Sequence, residues 1–103
     1  MGAGRVEAAL AVATDHPAFE GHFPGRPILP GVAILAEVLG AIEAATARGP
    51  QEWEIANAKF LVPVAPGTAL TLIHEPTGTG GVRFEVRSPE ALVASGLLAR
   101  RKP

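Results

Sequence analysis

Apolar residues recur at every second position near the start of the chain. Val6, Ala8, Leu10 and Val12 share one side of residues 5–13, which predicts a strand. Thr14-Asp15-His16-Pro17 ends it, with Asp15 placed to cap a short turn. From Val32 to Arg48 the period changes. Val32, Leu35, Ala36, Leu39, Ile42 and Glu43 fall three or four residues apart, the spacing of one helix face, and Gly49-Pro50 closes the run. Beyond it, Trp53 to Val62, Ala69 to Glu75, Val82 to Arg87 and Ala91 to Arg100 read as four strands. The turns between them are Pro63-Val64-Ala65-Pro66-Gly67, Pro76-Thr77-Gly78-Thr79-Gly80-Gly81 and Ser88-Pro89-Glu90. A strand, a loop, one long helix and four antiparallel strands predict an α+β fold, with the helix lying against a curved antiparallel sheet. At 103 residues the chain suits one domain spanning 1–103.

The loop before the helix fits neither period. Gly21-His22-Phe23-Pro24-Gly25-Arg26-Pro27-Ile28-Leu29-Pro30-Gly31 packs three prolines among its glycines, which excludes both a helix and a central strand. Surface loops are normally polar. This one carries Phe23, Ile28 and Leu29, so it reads as rigid and partly buried.

Composition narrows the function. With 48% hydrophobic and 18% charged residues the chain can build a core, but four Phe, one Trp and no Tyr make it a core of small side chains. Such a core gains from burying more surface in an oligomer. A formal charge of −1 supplies no basic field for nucleic acid. Arg100-Arg101-Lys102 is a local basic run, read first as a solvated chain end. The absence of cysteine excludes disulfides, thiolate metal sites and a cysteine nucleophile. His16, His22 and His74 lack metal-ligand spacing, and no cofactor is indicated. The apolar stretch Val32 to Ile42 is too short to span a bilayer and is interrupted by Glu37. No signal peptide opens the sequence, so the expectation is a soluble, cytoplasmic protein.

Gly21 to Val32 resembles, almost without substitution, the signature of the FabZ/FabA-type β-hydroxyacyl-[acyl carrier protein] dehydratases. Ala58-Lys59-Phe60 with Pro63-Val64-Ala65-Pro66-Gly67, and Val93 to Arg101, resemble that family's second strand and turn and its closing strand. The resemblance covers nearly the whole chain and implies a single hotdog fold. It also implies dehydration of 3-hydroxyacyl thioesters on acyl carrier protein, for fatty-acid or specialised lipid and polyene synthesis. The implied assembly is a homodimer or higher oligomer whose sheets run together, with a heterodimer as the variant. In such dimers each site takes its histidine from one chain and its acid from the other. The acyl chain would lie in a tunnel lined by Phe19, Phe23, Phe60 and the helix aliphatics. Basic residues, with Arg26, Lys59 and Arg83 as contributors, would meet an acidic carrier.

Dehydration needs a base for the proton beside the thioester carbonyl, an acid for the departing hydroxyl and a holder for charge on the carbonyl oxygen. His22 is the expected base, since imidazole titrates near neutral pH and this backbone is stiff. The competing reading is a structural histidine. Gly31 and Val32 follow Pro30 at the helix start, where free amides meet the positive end of the dipole and suit an oxyanion. The family's acid lies fourteen residues after its histidine. Here that position is Ala36, and the carboxylate is Glu37, about 100° further round a helix. Three explanations compete. The helix is adjusted so that Glu37 reaches the site; or Glu37 is a surface or interface residue and the chemistry is impaired; or another chain supplies the acid. A carboxylate inside the apolar run 32–39 is partly desolvated and a usable proton donor. Glu43 is expected to face solvent, and Glu20 ranks below Glu37. Two other functions stay open: a non-catalytic subunit that binds carrier protein or pairs with an active partner, and a hotdog thioesterase.

Overall fold

The computed structural model describes residues 4–10, 31–46, 53–65 and 67–100. They form β1 (Val6–Leu10), α1 (Gly31–Thr46), β2 (Trp53–Phe60), β3 (Leu70–Pro76), β4 (Val82–Arg87) and β5 (Leu92–Arg100). All sheet pairings are antiparallel, in the order β1-β3-β4-β5-β2. The α+β expectation therefore holds, and β4 has the expected bounds. β1 occupies the centre of the expected 5–13 run, whose last three residues lie outside the described ones. β2 stops at Phe60 rather than Val62, although the Leu61 amide still donates to the Val93 carbonyl at 2.8 Å.

Alternation sorts the sheet into two faces. On β3 and β4 the positions Leu70, Leu72, His74, Val82, Phe84 and Val86 are buried, while Arg83 and Arg87 are exposed. The buried side carries the helix. Ile34, Val38 and Ile42 pack with Leu72, Phe84, Val86 and Leu98 in one core cluster. Gly96, in the middle of β5, is a glycine for lack of room. A Cβ there would come within 2.6 Å of both the Asn57 carbonyl oxygen and the Phe84 ring. The β2–β5 register also shifts here, between Ile55 and Asn57.

The buried helix face differs from the expected one. Ile34, Val38 and Ile42, four residues apart, form its ridge. Of the expected face, Ile42 is buried as expected, Leu35, Leu39 and Glu43 are half-buried, Ala36 is exposed, and the side chain of Val32 lies outside the described ones. Glu43 is thus also less solvated than expected. The cause is the near absence of polar residues from α1: several faces satisfy the spacing, and the sheet selects the β-branched one, whose stiff side chains fit its ribs.

Candidate active site

The site is built where α1 begins. Gly31 opens the helix, so its first amides have no carbonyl one turn back to bond and point along the axis with the positive end of the dipole. Phe60, the last residue of β2, covers this tip. A Cβ on Gly31 would lie 3.0 Å from the Phe60 ring, so the ring rests on bare helix backbone. Gly31, Ile34, Phe60, Leu61, Val62 and Pro63 enclose an open cleft of about 170 Å³. Its side chains are apolar yet solvent-facing, with backbone polar groups between them: Phe60 is 47% and Leu61 54% exposed. A thioester oxygen would meet N–H donors at one end of such a cleft, and its acyl chain would meet hydrocarbon.

The structure brings together Gly31 and Phe60 of the expected site residues, with Val32 in the same first turn. His22, Phe19, Phe23 and Pro30 lie outside the described residues, as does Arg26. Phe60 is not ordinary core; it is a half-open wall. α1 runs as regular helix from 31 to 46, with no break between Ala36 and Glu37. Ala36 therefore points away from the buried ridge, about 160° from Val38, and Glu37 lies on its flank, about 100° away. Glu37 is accordingly half-buried and Ala36 exposed.

Sequence reasoning undervalued His74. A histidine without metal-ligand spacing, it is nonetheless 5% exposed, on the helix side of β3 opposite Val6 and Phe84. Burial holds its pKa below the usual imidazole value. The signal was available: Leu70, Leu72 and His74 share one parity. Lys59 and Arg83, read as parts of one basic patch, occupy the opposite face of the sheet from the helix. Arg83 is opposite Glu75, and Lys59 lies in a row with Ser95 and Glu85.

Residues 2–97 match the sequence family described as ApeI-like, the ApeI dehydratase. The chain belongs to this family. Among curated relatives of this ApeI-like chain, the 3-hydroxyacyl-[acyl-carrier-protein] dehydratase FabZ of Syntrophotalea carbinolica is 44% identical over 96 residues. That match covers 85% of this chain and 65% of the relative. The chain spans about half to two thirds of the curated relatives it matches. Among solved structures, the dehydratase heterocomplex ApeI:P from Xenorhabdus doucetiae superposes with a TM-score of 0.81 at 25% identity. It covers 96% of this chain and 88% of the other. The fluoroacetyl-CoA thioesterase FlK shares the fold, with a TM-score of 0.69 at 18% identity over 93% of this chain and 82% of that one. The ApeI-like chain thus has the hotdog fold. Among its described residues no helix is long and apolar enough to cross a membrane.

Proposed function

We propose that the chain, as one hotdog domain over residues 1–103, is a cytoplasmic dehydratase of 3-hydroxyacyl thioesters carried on acyl carrier protein. One observation carries the reading: a cleft lined by apolar side chains opens at Gly31, the first residue of the helix and the one that directly follows the His22 loop in sequence. His22 takes the proton from the carbon next to the thioester carbonyl. The amides at Gly31 and Val32 hold the negative charge that builds on the carbonyl oxygen. The β-hydroxyl leaves as water with a proton from Glu37, and the product is the 2,3-enoyl thioester. Pro30, Phe19, Phe23 and Phe60 shape the channel. Glu37 is preferred over Ala36 because it carries a carboxyl group and is half-buried on the flank of the core ridge.

The working unit in this reading is a dimer joined along β2. Among the described residues that strand pairs with β5 alone, beside exposed Ile55 and Phe60, and such an edge is a template for a second strand. The test is hydration of a crotonyl thioester, followed by loss of the enoyl absorbance, in wild type, His22→Ala and Glu37→Gln. His22→Ala is expected to abolish turnover while the melting temperature holds. Glu37→Gln is expected to lower kcat at least a hundredfold. Wild-type rates in His22→Ala would remove the histidine from the chemistry. A wild type that is inert alone, but active with a second hotdog chain or after Ala36→Glu, would replace this reading with that of a partner-dependent subunit. Release of free thiol without enoyl chemistry would make it a thioesterase.

A further inference from the structure

Phe60 ends β2 beside the start of α1, and the neighbouring strand leaves it room. Its partner across the β2–β5 ladder is Ala94, a small side chain that is itself buried. Just beyond this last ladder pair the Leu61 amide donates to the Val93 carbonyl at 2.8 Å, which fixes the backbone that carries the ring. The ring comes close to the helix. A Cβ on Gly31 would lie 3.0 Å from two of its carbons and 3.1 Å from a third, so one side of the ring, rather than a single atom, rests against the helix start.

In the proposed mechanism the thioester carbonyl oxygen is held at the amides of Gly31 and Val32. That polarisation serves two reactions. It acidifies the C–H beside the carbonyl, which dehydration uses, and it makes the carbonyl carbon an electrophile for water. In hydrolysis the water oxygen bonds to the carbonyl carbon and the C–S bond breaks. A proton of that water passes through the base to the departing sulfur, leaving a carboxylic acid and a free thiol. Water is always at hand, because dehydration releases one molecule at the β-carbon in every turnover. Shielding a reactive carbonyl from water is one thing a covered site achieves. A carbonyl oxygen bonded to the Gly31 amide would lie about 3 Å from it, which sets the carbonyl carbon beside the Phe60 ring.

We infer that Phe60 determines which of these reactions the site performs: its ring screens the carbonyl carbon at the helix tip from water and so suppresses hydrolysis of the thioester. This rests on the dehydratase reading, and it concerns the fate of the same polarised carbonyl. The ring is 47% exposed in one chain. It stands on an edge strand, so in the proposed dimer the second copy closes over that exposed side.

The test gives crotonyl-N-acetylcysteamine to each protein and follows both products in one sample: the 3-hydroxybutyryl thioester for hydration and free thiol for hydrolysis. Wild type is expected to hydrate with little thiol release. Phe60→Ala is expected to raise the ratio of hydrolysis to hydration roughly tenfold, and Phe60→Leu, which keeps part of the apolar cover, about threefold. The ratio decides the matter, because loss of folded protein lowers both rates together and leaves it unchanged. If Phe60→Ala is poorly folded by circular dichroism, Phe60→Leu carries the comparison. A wild-type ratio in the folded variants, with hydration still running, would overturn the inference and leave the dehydratase reading intact. A wild type that releases thiol without hydrating would overturn both. One that does neither would fail as a dehydratase, and the inference would fall with that reading.

Discussion

Among the described residues β1 and β2 are both edge strands, each paired on one side only, yet they expose different things. β1 is five residues long, with sequence VEAAL, and shows mainly alanine and a glutamate at its surface. Gly4, just before it, turns at φ 88° against Pro76, where a Cβ would meet the ring at 2.8 Å. β2 is eight residues long and is followed by Leu61 and Val62; Ile55, Phe60, Leu61 and Val62 are all exposed. Among the described residues the β1 edge is short and offers mostly small side chains, whereas the β2 edge, beside Glu54 and Lys59, carries more apolar surface and is the better template for strand addition. In the proposed dimer the two margins of the sheet are unequal, β1 staying open and β2 meeting its copy. The cleft lies at the β2 margin, where that second copy would complete its wall.

The sharpest way to break this contrast is to place a charge on β2. Ile55→Lys puts an ammonium on the helix side of the edge, where a second copy would have to bury it. We expect the dimer dissociation constant to rise at least a hundredfold, about 3 kcal/mol, and turnover to fall with the dimer. Sedimentation equilibrium across a dilution series reads it directly. A dimer of wild-type affinity in this variant would move the interface elsewhere.

A smaller effect belongs to the join between β2 and the rest of the sheet. Gly96→Ala places a methyl group against the Asn57 carbonyl and the Phe84 ring at 2.6 Å. Either β2 is displaced or Phe84 leaves its rotamer. The expected cost is about 1–3 kcal/mol of folding free energy, read as a lowered urea midpoint. An unchanged midpoint would mean that β2 is held more loosely than its ladder implies.

Much of this was legible in the sequence because period and punctuation agree. Val82 to Arg87 alternates cleanly between two glycine- or proline-containing turns, and the strand has the expected bounds. Val32 to Arg48 announces its helix by length and by the Gly-Pro that follows. The rotation of that helix was not legible, since Ala33, Leu35, Ala36 and Leu39 let several faces pass as apolar. Only contact with the sheet singles out Ile34, Val38 and Ile42. The site divides the same way. A helix start after Pro30 can be read from the chain, but the ring of Phe60 resting on Gly31 joins residues 29 apart in sequence, and no local pattern encodes it. The proposed acid lies between these cases: spacing locates the misfit at Ala36 and Glu37, and the unbroken helix separates an exposed position from a half-buried one.

His74 extends the contrast to pH, because it lies beneath β1, opposite Val6. Its pKa in the folded chain is lowered by burial, so the unfolded chain binds the proton more readily. The stabilisation is complete above the ordinary imidazole value and is lost as pH falls through the lowered folded one. Chemical unfolding between pH 8 and pH 5 is expected to show stability declining on the acid side, with a shallower decline in His74→Leu. Identical slopes for the two proteins would show that other groups govern the response. Hydrogen exchange adds a finer reading: the amides that β1 shares with β3 should lose protection earliest on acidification, before those of β2 and β5.

The smallest effect is expected where β1 itself is changed. Ala8→Lys introduces the same ammonium as Ile55→Lys, at an exposed position in the middle of the other edge. Lysine is a residue that natural edge strands use to remain unpaired, and a solvated substitution of this kind changes folding free energy by no more than about 0.5 kcal/mol. Dimer affinity and crotonyl turnover should therefore stay at wild-type values. The pair of variants is informative because the chemistry added is identical and only the edge differs. If Ala8→Lys splits the dimer and Ile55→Lys does not, the sheet is joined through β1. The cleft at Gly31 would then face open solvent, and the small exposed side chains of β1 would have to be reread as a surface for close backbone approach.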